Sequence, residues 1–208
     1  MVPGDRDAPQ PHLVVQPAHG EHPADDVIGT AHGESPSTQE ANGLPPVDAV
    51  WIELESYVKA KSDILEIGEA IYEIADRRSN AGWAHEWVQK RGRSTLRTEN
   101  AWIASIGGDI PFGGTETRLT DVLTLLSTSG ITFADDGDSG ALVVSRALGS
   151  TNTYPARGIF MAWGFNQFEE KLYYVQSIES IFNTFGLQVI SRIQWYWPPS
   201  WIRSLARS

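Results

Sequence analysis

From Glu86 onward, short apolar runs alternate with Gly and Asp turns. Trp87-Val88-Gln89-Lys90 leads to Gly92, and Ala101-Trp102-Ile103-Ala104 leads to Gly107-Gly108. Further runs lie at Ile131 to Phe133, Ala141 to Val144, Gly158 to Trp163 and Lys171 to Val175. Short strands punctuated at this density predict a barrel or a sandwich. After them Ile178, Ile181, Phe182 and Phe185 stand at i, i+3, i+4 and i+7, with Gly186 as a stop. That pattern predicts one amphipathic helix closing an otherwise β domain. Before Glu86 the picture is thinner. Ala49 to Leu54 reads as a strand. Ile64, Ile67, Ile71 and Ile74 fit a helix by spacing, while Gly68 and the β-branched content fit a strand pair equally well.

The first 46 residues differ in kind. They hold eight of the twelve prolines and no Phe, Trp or Tyr. Such a segment buries too little apolar surface to offset the entropy of ordering it, so 1–46 is expected to be largely disordered. Folded structure is expected from Val47. The last stretch, 187–208, carries Trp195, Trp197 and Trp201 around Pro198-Pro199. The prolines preclude a continuous helix there, and the rings are expected to pack over the barrel.

Charge and composition remove several function classes. A net charge of −10 argues against nucleic acid, which needs clustered Lys and Arg. The absence of cysteine excludes disulfides, thiolate catalysis and cysteine zinc sites, and no metal or cofactor is expected. No run approaches the roughly 18 apolar residues of a membrane span, and Met1 to Gln10 lack the apolar core of a secretory signal. A cytoplasmic protein is therefore expected.

The densest chemical signal is Asp135-Asp136-Gly137-Asp138-Ser139-Gly140, followed by the apolar run Ala141-Leu142-Val143-Val144. Gly137 and Gly140 permit backbone conformations closed to residues with a Cβ. Successive N–H groups can then converge beside the Ser139 hydroxyl, which is what acyl transfer needs for a developing oxyanion. Taken alone, Asp-Gly followed by Ser-Gly is also ordinary hairpin chemistry.

Three more segments sharpen the choice. Val88-Gln89-Lys90-Arg91-Gly92-Arg93-Ser94-Thr95 precedes the loop, and Gly158-Ile159-Phe160-Met161-Ala162-Trp163-Gly164 and Leu172-Tyr173-Tyr174-Val175 follow it. With Gly-Asp-Ser-Gly these resemble, in order, the second barrel of the chymotrypsin/trypsin-like serine peptidases, particularly fungal intracellular-type relatives. The resemblance implies an all-β, chymotrypsin-like fold with a complete second barrel over 86–186. A remnant of the first barrel and its connection would occupy 47–85. It makes Ser139 the nucleophile and the N–H groups of Gly137 and Ser139 the oxyanion hole. Asp138 matches the buried carboxylate that orders this loop by pairing with a cation, here unidentified. Met161, Ala162, Trp163 and Gly164 match the strand that binds substrate backbone. Phe133 stands six residues before Ser139, at the specificity position, where it would narrow or cap the pocket and disfavour basic substrates.

By the same resemblance Asp48, opening Val47-Asp48-Ala49-Val50-Trp51-Ile52-Glu53-Leu54, matches the triad aspartate, although an Asp capping a strand explains it too. Histidine is the difficulty. His12, His19 and His22 lie among prolines. His85 falls after Asp48, against the family order. His32, in Gly29-Thr30-Ala31-His32, echoes the family's histidine strand, but only fifteen residues separate it from Asp48. No histidine stands clearly as the base, so impaired activity is expected. Three functions follow: a serine endopeptidase, a non-catalytic homologue binding extended peptides, or an unrelated β-barrel interaction domain. A partial first barrel would also leave sheet edges open to a partner or to self-association.

Overall fold

The computed structural model describes residues 12–15, 27–32, 35–57, 63–71, 83–128, 130–146 and 154–187. Three strands form a first sheet: β1 (His12–Val15), β2 (Val27–His32) and β3 (Trp51–Leu54), all antiparallel. A short helix, α1 (Pro36–Ala41), joins β2 to β3, with Ser35 as its N-cap and Pro36 opening its first turn. β4 (Asp63–Ile64) and β5 (Gly68–Ile71) form a hairpin.

The larger unit is a closed barrel. β6 (Trp87–Arg91) pairs with β7 (Arg97–Pro111), β7 with β8 (Arg118–Ser127), and β8 with β11 (Lys171–Ser177). β11 pairs with β10 (Tyr154–Phe165), β10 with β9 (Leu142–Ser145), and β9 returns to β6. Six antiparallel strands thus close on themselves into a ring. Alternate positions fill the interior: Val88, Ala101, Ile103, Leu123, Leu125, Val143, Phe160, Tyr173 and Val175 are all buried in one cluster. β5 adds to β10 in parallel at the ring's margin.

Helix α2 (Ile178–Phe185) follows β11 directly and ends at Gly186 in the left-handed conformation. Its apolar face, Ile178, Ile181, Phe182 and Phe185, packs with Ala49, Leu142, Ala156 and Ile159. The segment before β3 is held at several points. Val47 N–H donates to Gln39 Oε1 (2.8 Å), Thr184 Oγ1 donates to the Pro45 carbonyl (3.0 Å), and Thr120 N–H reaches the Pro46 carbonyl. Asp48 therefore emerges from an anchored stretch.

Several expectations change. Within 1–46, expected to be largely disordered, the structure has β1, β2 and α1. Strand pairing supplies what aromatic residues do not: Gly29 lies so close to the Glu53 carbonyl that a Cβ there would overlap it. Of the isoleucine-spaced segment, 63–71 forms the hairpin β4–β5, since Glu66 and Gly68 both have positive φ, incompatible with a continuous helix, and Ile74 lies outside the described residues. Ile131 to Phe133 is not a strand, and β8 was not marked by any apolar alternation. The tryptophan-rich segment 188–208 lies outside the described residues.

Candidate functional site

The bend between the Phe133 region and β9 brings the predicted chemistry together. Gly137 and Gly140 have φ of +90° and +88°, as the loop's sequence required. Asp138 N–H donates to the Asp135 carbonyl (3.0 Å) and Gly140 N–H to the Phe160 carbonyl (2.8 Å). Between and beside them, the N–H groups of Gly137 and Ser139 have no acceptor among the described residues. The exposed Ser139 donates its hydroxyl to the Met161 carbonyl at 2.9 Å. Ser139 also lines a pocket of about 270 Å³ with Asp135, Asp136, Phe160, Met161, Ala162 and Trp163.

Asp138 points the other way, into the barrel. It and Lys90 are fully buried, and Lys90 Nζ lies 2.8 Å from Asp138 Oδ2. The carboxylate also accepts from Thr95 Oγ1 (2.6 Å), Ser94 N–H (2.7 Å), Thr95 N–H (3.3 Å) and Asp135 N–H (3.2 Å). Burial alone would raise its pKa, but the bonds from Lys90, Thr95, Ser94 and Asp135 outweigh it and hold the carboxyl well below the usual range. Burial pulls Lys90 below the usual lysine value, with Asp138 opposing the shift. Gly92 is required by this packing, because a Cβ there would overlap the Asp138 carboxylate and crowd Lys90 Nζ. Lys90 is thus the cation that the sequence left unidentified. It sits on β6 opposite Thr98 of β7 and Val143 of β9, so it is an integral part of the barrel wall.

Phe133 departs from expectation. It is wholly buried in the barrel core, its ring set edge-on to Tyr173, and Tyr173 Oη accepts from its N–H at 3.0 Å. It does not line the pocket; Asp135 and Asp136 do. Asp136 Oδ1 accepts from Trp163 Nε1 at 3.1 Å, so the carboxylate is tied to the pocket's aromatic wall. Met161, Ala162 and Trp163 line the pocket, and Gly164 follows them on β10. Along Ala162 to Phe165, β10 pairs only with β11, which leaves its other edge without a strand partner among the described residues.

Asp48 and the histidines are placed less regularly. Although Asp48 is exposed, the protein on its inner side raises its carboxyl pKa through desolvation. No hydrogen bond or ion pair joins it to a histidine among the described residues. His32 ends β2 directly opposite Trp51, and the two rings stack with centroids 4.3 Å apart. Its Nε2 lies 3.2 Å from Glu53 Oε2. The fifteen-residue interval to Asp48 is bridged by α1, and β2 pairs directly with the strand that follows Asp48. His85 occupies a turn at φ +69°, with its N–H on the Ile103 carbonyl, as a loop residue should. His12 is in β1, and His19 and His22 lie outside the described residues.

The closed six-stranded barrel, the smaller sheet before it and the closing helix give the chain the chymotrypsin-like serine protease fold. Among similar solved structures are chymotrypsin from Cellulomonas bogoriensis (TM-score 0.54, 16% identity, covering 78% of this chain and 75% of that one) and protease A from Thermobifida fusca (TM-score 0.51, 19% identity, 78% and 74%). No family model matches the sequence, and no curated protein does. No helix among the described residues is long and apolar enough to cross a membrane.

Proposed function

We propose that this chain is a serine endopeptidase-like protein that binds extended peptides along the free edge of Ala162 to Phe165 and presents Ser139 as the acyl acceptor. The observation that carries this is the pair of N–H groups, on Gly137 and Ser139, left without acceptors while Asp138 and Gly140 beside them are satisfied. Two donors flanking an exposed hydroxyl suit an oxyanion, which would develop as Ser139 Oγ bonds to the substrate carbonyl carbon. The Ser139 proton must first leave the Met161 carbonyl for a base. In this reading the base is His32, on the strand paired with the one that follows Asp48, and Asp48 orients it.

A non-catalytic, peptide-binding homologue is the second reading. It is favoured by two contacts: Ser139 donates to a backbone carbonyl, and the His32 ring stacks on Trp51 rather than against Asp48. Fluorophosphonate labelling separates the two. A catalytic site is labelled in the wild type and unlabelled in Ser139→Ala, with labelling reduced about a hundredfold or more in His32→Ala. Absence of labelling in the folded wild-type protein refutes the catalytic reading.

A further inference from the structure

We infer that two copies of this chain join through the outer edge of β3, antiparallel about a two-fold axis at Ile52, to make one six-stranded sheet. The small sheet runs β1-β2-β3, and among the described residues β3 pairs with β2 alone. Its outer side therefore offers backbone N–H and C=O groups without a strand partner, a template for a further strand. The other margins differ. β4 is only two residues long, and the open stretch of β10 belongs to the peptide-binding reading above. β1, the opposite edge of the same sheet, has a register shift between Val14 and Val15 and is flanked by Pro11 and Pro17. A bulge and nearby prolines are devices that discourage further pairing at an edge. β3 has no register shift against β2, and Val50 to Leu54 contain neither proline nor lysine.

The residues along this edge select the partner. Side chains alternate along an extended chain, so Val50, Ile52 and Leu54 share one face and Trp51 and Glu53 the other. Ile52 covers Gly29 of β2, while Val50 and Leu54, on either side of it, are 54% and 41% exposed. A two-fold at Ile52 sets that residue against Ile52 of the second copy, Val50 against Leu54, and Trp51 against Glu53. On the first face apolar residues then meet apolar residues, and the symmetry makes the Val50–Leu54 pair twice. On the second face the two carboxylates stand diagonally rather than opposite, and each keeps the His32 of its own copy, whose Nε2 lies 3.2 Å from Glu53 Oε2. Neighbouring registers fail. An axis at Glu53 sets two carboxylates directly opposite, which is destabilising. An axis at Trp51 sets Leu54 against Asp48, beside the stretch already tied down at Pro45 and Val47. The strand thus asks for an apolar row on one face and no opposing carboxylate on the other, and the same strand, inverted, supplies both.

Few residues are covered on each side, so the pairing lies at the small end of specific interfaces and the dimer is weak and concentration-dependent. Sedimentation equilibrium of the full chain should show monomer passing to dimer, and to no larger species, as the concentration rises toward about 1 mM. Val50→Lys and Leu54→Glu, both at exposed positions, each set a charge against an apolar side chain twice per dimer and should raise Kd about tenfold. The double variant Val50→Lys/Leu54→Glu sets the new ammonium of one copy against the new carboxylate of the other and should return Kd to within about threefold of wild type. Within one copy these positions are about 13 Å apart along an extended strand, too far to pair, so the recovery reads the intermolecular register. It also separates lost pairing from lost folding in the single variants. Wild type that stays monomeric, single variants that dimerise as tightly as wild type, a double variant no tighter than the singles, or growth beyond the dimer would each overturn the inference. None of these readouts involves Ser139, so they stand apart from fluorophosphonate labelling.

Discussion

Replacing Lys90 by methionine perturbs the 135–140 loop from the inside. The substitution keeps an apolar stem of similar length and deletes only the ammonium, which is wholly buried 2.8 Å from Asp138. Asp138 retains four neutral donors, from Ser94, Thr95 and Asp135. Those bonds do not offset the desolvation of a fully enclosed anion, so loss of one partner of a buried pair is expected to cost about 3–5 kcal/mol. For a chain of this size that is a fall in melting temperature of roughly 6–20 °C. The stability is measured by urea denaturation followed through tryptophan fluorescence and far-UV circular dichroism. Removing both charges, in Lys90→Met/Asp138→Asn, should recover a large part of the loss, because the isolated buried anion is the main cost and not the missing attraction. Lys90→Arg should fall between the two, since the larger guanidinium must fit where Gly92 already marks close packing. A Lys90→Met protein within about 1 kcal/mol of wild type, or a double variant no more stable than the single one, would refute this account of the loop.

Two other outcomes follow from the same cluster. Asp138 has a depressed pKa in the folded chain. It therefore binds fewer protons when folded than when unfolded, and its stabilisation is complete above the unfolded value of about 3.9 and is lost as pH falls toward the lower folded value. A urea midpoint followed down from pH 5 should decline in the wild type below about pH 4, and Asp138→Asn should flatten that part of the decline. Gly92→Ala should destabilise by about 1–3 kcal/mol and slow fluorophosphonate labelling of Ser139, read by melting temperature and labelling rate together; an unaffected melting temperature would contradict the close approach of Gly92 to the carboxylate.

The bend at 135–140 was legible because its backbone requirement is local. Glycines at 137 and 140 have one common backbone use, and an apolar strand follows at once. Strands β6, β10 and β11 were legible for a similar reason, since each buries residues in short alternating or continuous apolar runs. Lys90 was not. In Gln89-Lys90-Arg91 it reads as a solvated position on a strand, and only its partner 48 residues away explains why it is buried. β2 was missed because prolines and glycines dominate its surroundings, while its order comes from pairing with β3, which composition does not report. β8 was missed because Asp121, in the left-handed region at φ +59°, interrupts the alternation among Leu119, Val122, Leu123 and Leu125. Phe133 stands at the expected specificity position only by its count from Ser139. Counting fixes a position along the chain, but Tyr173 and the barrel core decide which way the side chain faces.

The position of the cation has a consequence for how the site becomes ordered. Had the Asp138 partner been a mobile group, the loop could exist with the carboxylate released and the Gly137 and Ser139 donors scattered. Lys90 is instead held within β6, between β7 and β9, and the chain runs on past the end of β6 into the turn that carries Ser94 and Thr95, which supply three of the other four bonds to Asp138. One continuous stretch, 90–95, therefore provides both the charge and the cradle. Closing the barrel brings that stretch against Asp138, and Asp138 in turn fixes the bend that presents Ser139. Loop order is thereby coupled to barrel closure itself, so destabilising β6 or β9 should disorder the donors around Ser139 even when no residue of the bend is altered.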